Sequence, residues 1–331
     1  MSDKNIDKET SRREFIIRSS KAGLLILSSG FVGGFFYNRN DSVSSVKTES
    51  ITALPDFSIK DKAGKMAIVK GDDRVKTINL ALKAMGGIET FIKKGDRVLL
   101  KVNAAFASPP VISATTNPEL LKEVIRLCYS AGALSVVVTD NPINDPMSCF
   151  SLTGIESAAK SCGAKIILPD ESLFTQISIE GGNLIKDWPV LYKPLINADK
   201  LIGIAPLKDH HRSGASMTMK NWYGLLGGRR NIFHQDINNI IKELAIMVKP
   251  TLVILDGTTT MMSNGPTGGS LSDLKQTNVM IAGTDQVAVD AFGATLLGTR
   301  AQELAYIEKA YAAGVGNMDY RLLNPEMIIS L

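Results

Sequence analysis

The chain has three histidines, His210, His211 and His234, and all lie in one window, LKDHHRSGASMTMKNWYGLLGGRRNIFH, from Leu207 to His234. Imidazole is the side chain best suited to proton transfer near neutral pH and to metal ligation. Its confinement to this window marks a candidate site. His210 or His234 would serve as acid and base, or as metal ligands with Asp285 as a third. Lys208 and Lys220 would hold an anionic group, and a lysine whose pKa falls on burial also joins in proton transfer. The stretch MTMKNWYGLL reads as a helix burying Met217, Trp222, Leu225 and Leu226, which leaves Asn221 without a packing role. Lys220 in such a helix also has a plain alternative, snorkelling to water. Arg229, beside Arg230 after Gly227-Gly228, presents a fork for carboxylate or phosphate, or else a solvated turn. His211 reads as solvated, because sequence neighbours point apart, and His234 is as well suited to capping a helix.

Groups of the same character stand at the ends of apolar runs. RVLLKVN closes on Lys101 and Asn103, SVVVTD on Asp140, and KLIGIAP is followed by Lys208. TLVILDG carries Asp256, and NVMIAG is followed by Asp285. Ligands of open α/β sheets bind beyond the carboxyl ends of the strands. Each residue alone is more often a turn or cap; together they read as one site. Thr115 and Thr116, just before a helix start at Asn117, offer hydroxyls to an anion. The expected substrate contacts are thus Lys101, Asn103, Thr115, Thr116, Asp140, Asn221, Arg229 and Asp256. The glycine-rich loop from Ser263 to Gly269 could cradle an anion but lacks the Lys-Ser/Thr ending of a P-loop. No G-x-S-x-G is present, which argues against serine-hydrolase chemistry.

The elements that must position these groups follow from periodicity. Asp73 to Met85 is helical, RVLLKVN is a buried strand, and Asn117-Pro118-Glu119 caps and opens a helix ended by Gly132. SVVVTD, AKIILPD, KLIGIAP, TLVILDG and NVMIAG read as further strands. Helices are expected near 154–161, 236–248, 285–297 and 301–313, and a hairpin turn at Glu180-Gly181-Gly182-Asn183. The fold class is α/β, a mostly parallel sheet or sheets with helices on both faces, in one lobe or two, with a cleft at the strand carboxyl ends. The body runs over 61–331, after a polar linker at 38–60.

Residues 11–15, Ser-Arg-Arg-Glu-Phe, before an apolar stretch from Ala22 to Tyr37, resemble a twin-arginine export signal. That resemblance implies the twin-arginine translocation machinery as a partner and an exported, periplasmic protein. Residues 1–37 would be removed, or kept as a membrane anchor through residues 22–37. The chain carries 37 basic and 33 acidic residues among 331, with much of the basic excess in the first fifty. It has no polybasic tract of the kind that binds nucleic acid. Cys128, Cys149 and Cys162 are widely spaced without a C-x-x-C, which argues against an iron–sulfur cluster and leaves a metal ion as the cofactor to consider.

Eight segments, in order, resemble the domain of unknown function 362 family. They are KVN at 101–103, SATTNPELL at 113–121, SVVVTDNP, APLKDHH, MKNWYGLLGGRR, VKPTLVILDG, SNGPTGG and AGTDQVAVDA. The family pattern at the window resembles Pro-Lys-x-Lys-Thr-His; here it reads Ala205-Pro206-Leu207-Lys208-Asp209-His210, so Asp209 replaces a usual threonine and its hydroxyl contact. Members with an appended ferredoxin-like domain carry cysteine clusters that this chain lacks. The resemblance implies no settled activity, and a distant likeness to the fold of nickel-dependent lactate racemases. The residues point to an exported enzyme acting on a small anionic substrate by His/Lys acid–base or metal-assisted chemistry. The alternative is a non-catalytic periplasmic protein that binds a ligand or cofactor.

Overall fold

The computed structural model describes residues 51–330, so the export segment at 1–37 and the first part of the linker lie outside the described residues. The elements in chain order are β1 (Met66–Lys70), α1 (Arg74–Ala84), β2 (Arg97–Lys101), α2 (Pro118–Ser130), β3 (Ser135–Thr139), α3 (Pro146–Leu152), α4 (Ile155–Ser161) and β4 (Lys165–Ile167). A small hairpin follows, β5 (Phe174–Ile177) and β6 (Trp188–Leu191), then α5 (Lys193–Ile196), β7 (Lys200–His210), β8 (Gly214–Ser216) and α6 (Thr218–Asn221). The chain continues through α7 (Ile237–Met247), β9 (Leu252–Met261), β10 (Leu274–Gly283), α8 (Gln286–Leu296), α9 (Ala305–Ala312) and β11 (Glu326–Ile329).

One sheet organises the body, in the order β11-β1-β10-β9-β7-β2-β3-β4, with β8 folded back on β7. The strands β9, β7, β2, β3 and β4 are mutually parallel, while β10 runs antiparallel to both β9 and β1. The reversal has a simple cause. Parallel neighbours need a crossover, usually a helix, and the segment between β9 and β10 contains only a single 3-10 turn at Leu271–Asp273. Of the one lobe or two that the sequence leaves open, the continuous sheet makes one. β1 and β11, which close the far edge, were not marked by apolar periodicity. Residues 51–60, expected as linker, are laid along the body: Leu54 and Phe57 are buried, and Phe57 N–H donates to Lys249 O at 3.0 Å.

Alternation along the strands builds two cores, one on each face. Val98, Leu100, Val136, Val138, Ile202, Ile204, Leu252 and Ile254 join the face covered by α1, α2 and α4. Leu99, Leu201, Ala205, Val253, Leu255 and Ile281 join the other, under α7, α8 and α9. Each such aliphatic side chain contributes roughly 1.5–3 kcal/mol on burial, so Leu100→Ala is expected to cost ~2–5 kcal/mol. Capping follows the sequence closely. Asn117 Oδ1 accepts from Glu119 N at 2.9 Å with Pro118 in the first turn, and Asp73 and Asp285 cap α1 and α8. Gly132 ends the α2 connection at φ 92°, a left-handed conformation that side chains disfavour.

Candidate functional site

The period of two also places the first charged group. In β2, Lys101 follows Leu99 on the same face, and its aliphatic stem continues the core while its ammonium reaches the carboxyl end of the sheet. There Nζ donates to Asp140 Oδ1 at 2.7 Å, to Val102 O at 2.7 Å and to Asn221 Oδ1 at 3.3 Å. Asp140 is held in turn by Ala104 N at 2.6 Å and Asn141 N at 2.9 Å. Burial pulls the Lys101 pKa down while Asp140 pulls it up. The pair is almost fully buried and satisfied on both sides, the arrangement in which a buried ion pair tolerates its desolvation. Gly224 lies directly over it: a Cβ there would collide with Asp140 Oδ1 and sit 2.7 Å from Lys101 Nζ. Gly203 is equally constrained by the Trp222 ring, 2.6 Å from where its Cβ would be.

Beside this pair is a cavity of about 70 Å³, lined by Lys101, Asn103, Phe106, Asp140, Lys208, His210, Ser216, Lys220, Tyr223, Arg230 and His234, among others. Three further cations reach it. Lys208 extends from β7, fully buried, with Nζ donating to Ala114 O at 2.5 Å and lying 5.2 Å from the Phe106 ring centre. Lys220 leaves α6 with Nζ 5.3 Å from the Tyr223 ring centre and without a hydrogen-bond or ion-pair partner among the described residues. Arg230 spends both Nη atoms on carbonyls, of Tyr223 and Leu226 at 3.2 and 3.1 Å, and of Asn141 and Pro142 at 2.7 and 2.8 Å. Asp140 is the one carboxylate in the lining, and Lys101 already occupies it. The positive charge is therefore uncompensated. Burial, then repulsion from Lys220, brings the Lys208 pKa down to about 7; burial, then Arg230, brings Lys220 to about 8.

The imidazoles stand in a row. His210 stacks on His211 at 5.0 Å between ring centres and on His234 at 6.2 Å, with planes inclined by 8° and 16°. His210 Nδ1 accepts the backbone N–H groups of Arg212 and Ser213 at 3.2 and 3.3 Å. Burial, then Lys220, lowers the His210 pKa to about 2, so the ring stays neutral across the physiological range. With Nδ1 spent on two backbone N–H groups, only Nε2 of this ring is left to face the cavity. His234 Nδ1 lies 3.1 Å from Tyr223 Oη and 3.3 Å from Asn231 O. His211 is exposed, with Nδ1 3.3 Å from Gly265 O, although its ring stacks on that of its neighbour instead of pointing away.

Helix α8 fixes the segment that carries Lys220 and Asn221. Asp290, fully buried, accepts Thr218 N at 2.8 Å, Thr218 Oγ1 at 2.5 Å and Met219 N at 3.1 Å, so it caps α6 from across the core. Gln286 Oε1 receives the Trp222 indole N–H at 2.7 Å. Neither residue was singled out from sequence; both sit inside a helix, where a polar residue carries no positional signal. Asp209 turns from the cavity and accepts Gly265 N at 3.1 Å, which ties down the loop bearing the lining residue Pro266.

Of the residues expected at the site, Lys101, Asn103, Asp140, Lys208, His210, Lys220, Asn221 and His234 come together around the cavity. The others do not. Thr116 Oγ1 accepts Asn103 N at 2.7 Å and donates to Ile204 O at 2.9 Å, a strut beneath the site, and Thr115 is buried outside the lining. Asp256 pairs with Arg74 at 2.7 Å, Arg229 is exposed, and Asp285 is consumed in capping α8 and in accepting Asn317 N at 2.7 Å. The expected metal set of His210, His234 and Asp285 is therefore not assembled. Among the described residues no group of three or more His, Cys, Asp or Glu is placed to hold an ion. Arg230, not its neighbour Arg229, faces inward, a choice of turn phase that composition cannot make.

Fold and site define an α/β protein with a cation-lined cavity at the carboxyl ends of parallel strands. The model of the family described as Domain of unknown function (DUF362) matches residues 98–295, a span that includes every residue lining the cavity, and the chain belongs to that family. A thylakoid-associated protein of Synechocystis sp. is 27% identical over 227 residues, covering 65% of this chain and 67% of that protein. Among solved structures, the lactate racemase apoprotein from Thermoanaerobacterium thermosaccharolyticum aligns at 14% identity with a TM-score of 0.38. That alignment covers 73% of this chain, which spans 60% of the racemase chain. No helix among the described residues is long and apolar enough to cross a membrane.

Proposed function

We propose that this cavity binds a small oxyanion, a carboxylate or phosphate, and that the protein is an exported enzyme transferring a proton on the bound molecule. One observation carries the reading: Lys208, Lys220 and Arg230 meet around about 70 Å³ with no carboxylate free to neutralise them. A space of this size, enough for a few waters, suits a compact anion. Lys220 Nζ, unspent, makes the direct ion pair, while Arg230, committed to carbonyls, supplies field. Lys208, whose pKa lies near neutrality before the anion arrives, is the group placed to give a proton to the bound molecule. Anion binding raises both lysine pKa values and so protonates them. The Ser11–Phe15 pattern and the apolar run that follows support export.

Titration calorimetry of the purified full chain with inorganic phosphate, sulfate and acetate at pH 7 tests the binding step. At least one is expected to bind, and Lys220→Met to weaken it by about tenfold or more, equivalent to ~1.4 kcal/mol. No binding by any of the three, or equal binding by the variant, refutes the reading. Fractionation of cells carrying Arg12→Lys with Arg13→Lys tests export: the variant should remain in the cytoplasm.

A further inference from the structure

The hydrogen-bond partners of the stacked histidines decide which ring nitrogen carries the proton. Two backbone N–H groups point at His210 Nδ1, so that atom is an acceptor and the proton of the neutral ring is on Nε2. His234 is the reverse. Tyr223 has a single phenolic hydrogen, and Arg230 O at 2.5 Å takes it. The hydroxyl can then only accept from His234 Nδ1, as can the Asn231 carbonyl at 3.3 Å. His234 therefore carries its proton on Nδ1 and leaves a lone pair on Nε2. These assignments rest on the partners each nitrogen has.

Apart from Asp140 the charged groups of the lining are donors, beside the neutral oxygens of Asn103, Asn141, Ser216 and Asn221. Lys220 Nζ is unspent, Lys208 Nζ has spent one bond on Ala114 O, and Arg230 holds positive charge close by. Asp140, whose oxygens could accept, is filled by Lys101, Ala104 and Asn141. The unspent imidazole lone pair of His234 thus stands among cationic donors.

We propose that the ligand is an oxyanion that also presents an O–H, its charged oxygens taken by Lys220, Lys208 and His210 Nε2–H and its hydroxyl by His234 Nε2. His234, oriented through Tyr223, is then the imidazole that receives a proton at this cavity, and His210 is a fixed donor. The groups facing His234 are Lys220, Arg212, His211, His210 and Tyr223; burial and then Lys220 lower its pKa, which keeps the lone pair available. This rests on the oxyanion reading above and narrows it.

Phosphate and sulfate separate the two ideas, because hydrogenphosphate matches sulfate in shape and charge and only the phosphate species carry a proton near neutral pH. The full chain is expected to prefer phosphate by at least about tenfold, and His234→Phe to abolish that preference while still binding both anions. Equal binding of the two by the unaltered protein overturns the inference and leaves the oxyanion reading standing. Binding of neither overturns this inference, and the oxyanion reading falls with it when acetate is not bound either. Long-range proton–nitrogen spectra of protein labelled only in histidine, with three residues to assign, give an independent readout. His210 as the Nε2–H form and His234 as the Nδ1–H form support the division of roles; His234 found as Nε2–H refutes it.

Discussion

Replacing Lys220 by methionine should make the empty protein more stable while removing its affinity for anions. The ammonium has burial and Arg230 against it and no carboxylate for it, and its pKa falls from 10.5 to about 8. At roughly 1.4 kcal/mol per tenfold change in proton affinity, that corresponds to ~3 kcal/mol of unfavourable interaction for the charged form. The side chain is only part-buried at the cavity mouth, where water screens it, so the working figure is about 2 kcal/mol. For a body of this size, ~2 kcal/mol moves the melting temperature by about 5 °C. Scanning calorimetry at pH 7 in a buffer of low ionic strength should show Lys220→Met melting higher than the unaltered protein. With saturating phosphate the order should reverse, because only the unaltered chain gains from ligand binding. If the variant melts lower in the absence of anions, or keeps the phosphate-induced rise, Lys220 is not an unpaired site cation and the argument fails. The trade of stability for binding is the usual signature of a functional site.

Other outcomes follow from the same geometry. The unfolded chain binds more protons than the folded one between the lowered lysine values, about 7 and 8, and 10.5, so empty-state stability should rise as pH climbs from 7 towards 10. Denaturant titrations across that range should show the slope, and phosphate should flatten it. Asp140→Asn should cost ~3–5 kcal/mol by stranding Lys101, and adding Lys101→Met should recover part of that loss in the same titration. Gly224→Ala should cost roughly 1–3 kcal/mol, because its Cβ collides with the buried pair. Asp290→Asn should weaken phosphate binding severalfold in calorimetry while the fold persists, because it loosens the start of the helix that carries Lys220.

Much of the fold was legible because it is written locally. Asn117-Pro118 announces α2, and the apolar runs of β2, β3, β7 and β9 announce a parallel sheet. The site window was legible because a chain so sparing with histidine concentrates it in one place. The roles within it were not. From sequence, His210 is the favoured imidazole and His234 stands even between the site and a helix cap; two backbone N–H groups make the first a donor, and Tyr223 with Asn231 makes the second an acceptor.

The sequence by itself determined the family, the central strands and helices, and Lys101, Lys208 and Lys220 as cations near strand ends, since each depends on residue type and short-range spacing. Tertiary structure alone decided which cations keep an unmet charge. Asp140 goes to Lys101, Asp256 to Arg74 and Asp285 to the cap of α8, which leaves none for Lys208 and Lys220. Pairing between Lys101 and Asp140, or between Arg74 and Asp256, joins residues distant in sequence, and no local pattern encodes which partner a carboxylate will meet. Burial then turns that choice into function, because an unmatched charge matters most where water cannot reach it.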